Sequence, residues 1–129
     1  MSGCLLLWPG QASAAAVAER VKASRTLRVC IWPDYYGISH RNPRTGQLSG
    51  IDIELSAGFA KDLGATLQYV DSSFATLVDD LLAERCDVAM FAVAMLPQRQ
   101  AVLRFSRPYL QSDIYAVTTK GSKTVSRWE

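Results

Sequence analysis

After a mixed amino-terminal segment, Leu27-Arg28-Val29-Cys30-Ile31-Trp32 is a compact apolar run with β-branched residues. It reads as a buried strand, ended by Pro33. A stretch rich in Gly, Asn, Pro and Ser continues as loop to Gly50. Ile51, Leu55, Phe59 and Leu63 then recur every four residues, which predicts a helix over 51–63 with one apolar stripe. Asp52 and Glu54 in its first turn and Lys61 in its last suit the helix dipole, and Gly64 suits its end. Thr66-Leu67-Gln68-Tyr69-Val70 predicts a second strand. Phe74, Leu77, Val78, Leu81 and Leu82, behind a Ser72 or Ser73 cap, predict a helix over 73–85. Asp87 to Phe91 predicts a third strand, Pro97 opens a short helical turn to about Val102, and 112–119 predicts a last strand.

This alternation predicts an α/β lobe, a parallel sheet with helices on both faces built from right-handed βαβ crossovers. Ligands of such sheets sit at the carboxyl ends of the strands. Two loops are therefore expected to carry function, one beginning at Trp32 and one at Phe91.

Composition narrows the classes. Of 129 residues, 49% are hydrophobic and 20% charged, as in an ordinary globular domain, and the net charge is only +2. No basic stripe favours nucleic acid, and no apolar run reaches the roughly 18 residues of a membrane span. The single histidine, His40, and the absence of CxxC or HxxxH spacing argue against a metal site. Cys4-Leu5-Leu6-Leu7-Trp8, the breaker Pro9-Gly10 and Ala12-Ser13-Ala14 have the shape of a secretory leader over 1–14, although a positive n-region is missing. Mature protein would then begin near Ala15. Cys30 and Cys86 would remain, either as a disulfide or as two buried thiols.

Several segments resemble family 3 of the extracytoplasmic solute-binding proteins. Gly46-Gln47-Leu48-Ser49-Gly50-Ile51-Asp52-Ile53-Glu54-Leu55 is similar to the family's G-x-L-x-G-[FI]-D-x-[DE]-L signature. Leu27-Arg28-Val29 with Pro33 and Tyr35 resembles its opening strand and ligand loop. Phe74-x-x-Leu77-Val78-x-x-Leu81 with Asp87-Val88-Ala89, then Pro97-Gln98-Arg99 and Phe105-Ser106-Arg107-Pro108-Tyr109, follow in the family's order. The likeness runs from about Leu27 to Lys120. It implies a periplasmic-binding-protein-like lobe of type II, two such lobes closing on a ligand.

Residue by residue, the resemblance places Arg99 on the arginine that clamps a ligand carboxylate, a task suited to a planar guanidinium fork. It places Tyr35 on the aromatic that packs against the ligand, with Trp32 and Tyr36 beside it. Phe74 can line the site or open the core of its helix, and the core reading is favoured. Where the family has S-G-M-T-I-T, this chain has Phe91-Ala92-Val93-Ala94-Met95-Leu96. The side-chain hydroxyls are gone, while Ala92 and Ala94 keep backbone N–H groups. The wall is thus more apolar, and a carboxylate with an apolar or aromatic body fits better than a small polar amino acid.

The resemblance assigns the first lobe to 25–119 and the start of a crossover to 120–129, with the second lobe missing or truncated. It implies an amino-acid-like solute and an ABC-transporter permease as partners, a periplasmic or otherwise extracytoplasmic location, and no cofactor. A lone lobe is expected to bind weakly and to self-associate through an apolar face at Phe91, Val93 and Met95. The competing readings are a dehydratase of prephenate-like acids on the same scaffold, with Asp34, Tyr35, Tyr36 and Glu54 as the available acids, and a ligand sensor of a signalling receptor.

Overall fold

The computed structural model describes residues 14–113, 117 and 119–121. The expected leader at 1–14 and the crossover at 120–129 lie almost wholly outside them. Most of the expected last strand does too, and its described residues Ser112, Asp113, Val117 and Thr119 are not in a strand.

Three parallel strands form the centre: β1 (Thr26–Ile31), β4 (Thr66–Asp71) and β5 (Val88–Ala89). Their order is β4-β1-β5, with Val29 opposite both Tyr69 and Val88. β1 is central, as a run with Leu27, Val29, Cys30 and Ile31 all buried requires. α1 (Ala14–Ser24) and α2 (Ile51–Asp62) contribute Val21 and Ala60 to a core with Leu27, Val29 and Ile31. α3 (Leu77–Leu82) contributes Leu77 to a second core with Cys30, Cys86 and Phe91. Helices thus cover both faces, and the parallel pairing of β1 with β5 matches the sequence expectation. α4 (Pro97–Gln100) is a single turn with Pro at its start. Among the described residues, no helix is long and apolar enough to cross a membrane.

Four details differ from expectation. α1 was not expected, because an Ala-rich segment carries little periodic signal. The loop to Gly50 contains a small antiparallel hairpin, β2 (His40–Arg41) with β3 (Leu48–Ser49). Its turn is set by Asn42, whose Oδ1 accepts the N–H groups of Arg44 and Thr45. α3 has six residues rather than thirteen, and Phe74 lies in the turn before it.

The fourth difference is the rotation of α2. The buried positions are Asp52, Ser56 and Ala60, while Ile51, Leu55, Phe59 and Leu63 stay 40–45% exposed. Gly50 sets the helix close against the loop: a Cβ there would lie 2.3 Å from the Ile38 carbonyl oxygen, and its φ is 130°. The carbonyls of Gly37 and Ile38 accept the first helical N–H groups, from Ile51 and Asp52. Small residues then face the sheet, where Ser56 Oγ donates to the Ile53 carbonyl and shares a 2.8 Å hydrogen bond with Tyr69 OH.

Cys30 and Cys86 are joined in a disulfide with Cα atoms 5.6 Å apart. The turn before β5 brings Cys86 back under Cys30, although the residue opposite Cys30 in the ladder is Ala89.

Candidate functional site

β1 ends at Ile31 and delivers Trp32 to the carboxyl end of the sheet. The chain then folds into a compact turn. The Trp32 carbonyl accepts the Tyr35 N–H and, at 2.7 Å, the hydroxyl of the fully buried Ser39. Trp32 and Tyr35 are thereby held with ring centroids 5.4 Å apart. Phe74 enters from the loop after β4, 5.4 Å from Trp32 and 5.9 Å from Tyr35, and rests edge-on over Phe91 at 5.0 Å. These spacings are typical of attractive edge-to-face pairs.

The Phe74 loop is fixed from below by Asp80. This buried carboxylate accepts the hydroxyls of Ser72 (2.6 Å) and Thr76 (3.1 Å) and pairs with Arg85. The Ser72 hydrogen bond outweighs burial and, with Arg85 and Thr76, holds the Asp80 carboxyl below its ordinary range.

Arg99 lies on α4, with Cζ 5.6 Å from the Phe74 ring centroid, within cation–π range. Its Nη1 donates to the Ala94 carbonyl at 3.1 Å, which also accepts the Leu96 N–H. Among the described residues no carboxylate pairs with Arg99, and the Val93 and Ala94 N–H groups have no acceptor. A guanidinium and an aromatic wall thus meet at the carboxyl end of the sheet, beside the segment that carries these two backbone donors. That set is suited to a carboxylate carrying a flat or apolar body.

Of the residues expected from sequence, Arg99, Trp32, Tyr35 and Ala94 share this neighbourhood. Tyr36 does not join the aromatic cluster; it is 84% exposed and packs edge-on against His40. Phe91 is fully buried and supports Phe74 from beneath rather than facing a ligand. With Phe91 inside and Val93 half-buried, the apolar face expected at 91–95 reduces to Met95, beside Leu96. Ala92 cannot offer its N–H, which donates to Asp52 Oδ2 at 2.6 Å. Phe74, assigned to a helix core by its spacing, is instead a half-exposed member of the cluster. Its place ahead of the Leu77-Val78 pair fitted both roles, so spacing could not separate them.

Sequence reasoning also missed Asp52 and Tyr109. Asp52 is fully buried and accepts the Tyr109 hydroxyl at 2.7 Å in addition to the Ala92 N–H. Burial, with this hydrogen bond and the nearby negative charge, pushes the Tyr109 hydroxyl well above its ordinary pKa. Ala92 has φ 54°, a left-handed conformation that costs a non-glycine residue roughly 1–2 kcal/mol. Asp52 and Glu54 share the first turn, and no signal in the sequence separated the buried acid from the solvated one.

A recess of ≈ 360 Å³ lies at the opposite end of the sheet and is lined by Arg20, Ser24, Thr26, Arg28, Glu84 and Asp87. Its charges engage one another. Asp87 receives Arg20 at 2.5 Å and Arg28 at 2.9 Å, and Arg20 also meets Glu84 at 3.2 Å.

Residues 27–127 match the family model of bacterial extracellular solute-binding proteins, family 3. The chain is 33% identical over 100 residues to cyclohexadienyl dehydratase of Pseudomonas aeruginosa, covering 78% of this chain and 37% of that protein. It is 26% identical over 116 residues to a probable amino-acid ABC transporter-binding protein of Haemophilus influenzae, covering 90% and 45% respectively. Among solved structures, the arginine-bound form of domain 1 of ArgBP from T. maritima superposes with a TM-score of 0.66 at 29% identity, covering 70% of this chain and 71% of that one. The chain therefore spans less than half the length of these curated relatives and most of one isolated domain. Matching sequence over the whole β1-to-α4 region and matching backbone agree on a lobe of the type II periplasmic-binding-protein fold, and the chain belongs to family 3 of the bacterial extracellular solute-binding proteins.

Proposed function

We propose that this chain binds a small carboxylate-bearing, amino-acid-like solute outside the cytoplasm, for delivery to an ABC-transporter permease. The observation that carries the reading is Arg99, held over the Phe74 ring by the Ala94 carbonyl and paired with no carboxylate among the described residues. Trp32, Tyr35 and Phe74 would pack on the solute's body. Arg99 and the Ala94 N–H would receive its carboxylate. Loss of the family's hydroxyls at 91–96 favours an aromatic or branched apolar body. A periplasmic location is in keeping with the disulfide, because such bonds persist in oxidising compartments.

On one lobe the carboxylate–Arg99 pair stays solvated, so affinity of the 129-residue chain is expected near roughly millimolar. The arginine-bound domain 1 of the T. maritima protein supports binding by a single lobe. The test is calorimetric titration with aromatic and aliphatic amino acids, their keto acids and the matching carboxamides. Binding of phenylpyruvate and phenylalanine but not of phenylalaninamide is the expected result. Equal binding of acid and amide would exclude Arg99 as the clamp.

The 33% identity to a cyclohexadienyl dehydratase favours one second reading, an enzyme acting on a ring-bearing acid of the prephenate type. That reaction needs a general acid beside the leaving group. Asp34, Tyr35, Tyr36 and Glu54 are the nearest acids in sequence, and no nucleophile–base pair stands at the aromatic cluster among the described residues. Incubation with prephenate distinguishes the two: simple binding leaves it intact, whereas turnover releases phenylpyruvate.

A further inference from the structure

We infer that Asp52 is a positioning residue of the ligand site, holding both ends of the segment that carries Arg99. The inference rests on the reading of that site as a carboxylate receiver. Arg99 sits in a stretch with little regular structure of its own: α4 has four residues, and the flanking chain from 91 to 96 and from 104 to 110 is irregular. Such a stretch requires external anchors to keep a guanidinium in one place.

Asp52 supplies two of them. Its Oδ2 accepts the Ala92 N–H, seven residues before Arg99, and its Oδ1 accepts the Tyr109 hydroxyl, ten residues after it. The carboxylate is fully buried at the amino end of α2, and α2 is itself locked against the Gly37–Ile38 loop by Gly50. The anchor is therefore rigid. Hydrogen bonds to a buried charged acceptor are among the strongest available to a protein.

The same contact accounts for two otherwise unfavourable features. Ala92 adopts a left-handed backbone, and the hydrogen bond from its own N–H holds it there. That conformation turns the chain at the point after which two N–H groups, of Val93 and Ala94, have no acceptor among the described residues. Asp52 thus consumes one backbone donor and leaves two for a ligand. The inward rotation of α2, which leaves its apolar stripe half-exposed, is what brings this carboxylate within reach of both donors.

The test compares the wild-type 129-residue chain with Asp52→Asn and Tyr109→Phe by residue-resolved amide exchange and by Arg99 side-chain NMR during titration with phenylpyruvate. Asp52→Asn keeps the shape and weakens the acceptor. It should raise exchange at amides 92–103 by about tenfold or more while those of β1 and β4 keep their wild-type protection. Tyr109→Phe should give a smaller rise, centred on 103–109. Where the wild type shows a phenylpyruvate-induced shift at Arg99, Asp52→Asn should lose it. A uniform rise in exchange across the sheet would make Asp52 an ordinary core residue and overturn the inference. So would wild-type exchange at 92–103, or an unchanged Arg99 response. If wild-type Arg99 does not respond to phenylpyruvate, the ligand reading fails for that acid, and the exchange pattern alone still decides the positioning role.

Discussion

The two ends of the central sheet carry the same kind of residue to opposite effect. At the amino end, Arg20 and Arg28 converge on Asp87, whose side chain is only 2% exposed, and Arg20 also reaches Glu84. Burial pushes the Asp87 carboxyl up, but the hydrogen bonds from Arg28 and Arg20 outweigh it and hold the group below its ordinary range. At the carboxyl end, Arg99 rests on a benzene ring and a carbonyl oxygen. One end spends its arginines on stability, and the other leaves an arginine without a carboxylate partner among the described residues. Charge neutralisation, not arginine itself, separates a structural site from a candidate receiving one.

Disturbing the disulfide beneath the sheet, and then the amino end, should cost the most stability. The Cys30–Cys86 bridge closes a long loop, with a sequence separation of 56, next to Asp87. Its removal by Cys30→Ser with Cys86→Ser is expected to lower unfolding free energy by about 4 kcal/mol in the chain-entropy picture, measured by urea denaturation. Asp87→Asn leaves two partly buried guanidinium groups without their shared partner. About 2–3 kcal/mol of destabilisation is expected, measured by the same titration.

The pH dependence follows from the same groups. Asp87 and Asp80 have folded pKa values below the unfolded value near 3.8. Their contribution is therefore complete above that value and is lost as pH falls through the folded values. Wild-type stability should decline below about pH 4–5, and Asp87→Asn should decline with a shallower slope, followed by thermal melts from pH 6 to 3.

The carboxyl end should respond differently. Ala92→Gly relieves a left-handed alanine and is expected to be neutral or to stabilise by about 0.5–1 kcal/mol by urea denaturation. A loss of more than 1 kcal/mol there would mean that the backbone turn carries no strain.

The parts of the fold legible in the sequence are those where one periodicity has one consequence. Leu27 to Trp32 reads as a buried strand, and β4, β5 and the parallel pairing followed. The rotation of α2 was not legible. An apolar stripe at Ile51, Leu55, Phe59 and Leu63 argues for its own burial, and nothing in the pattern reveals a buried carboxylate at Asp52 with two donors waiting 40 and 57 residues downstream. The resemblance, not the periodicity, pointed to Arg99 and Tyr35 with Trp32 beside it, and the structure gathers the three near Phe74 at the carboxyl end of the sheet. Phe74 and Phe91 were exchanged in role because an aromatic at a helix start and one at a strand end look alike until packing decides which covers the other. The disulfide stayed open for the same reason: strand register alone leaves Cys86 out of line with Cys30, and the turn before β5 corrects it.

The central claim is that Arg99 receives a carboxylate and contributes nothing essential to the fold. It is tested most directly by calorimetric titration of phenylpyruvate into Arg99→Gln and wild-type chain, each checked by thermal melting. The account predicts stability within about 0.5 kcal/mol of wild type and an affinity loss of about tenfold or more. Unchanged affinity, or a loss that only accompanies unfolding, would contradict it.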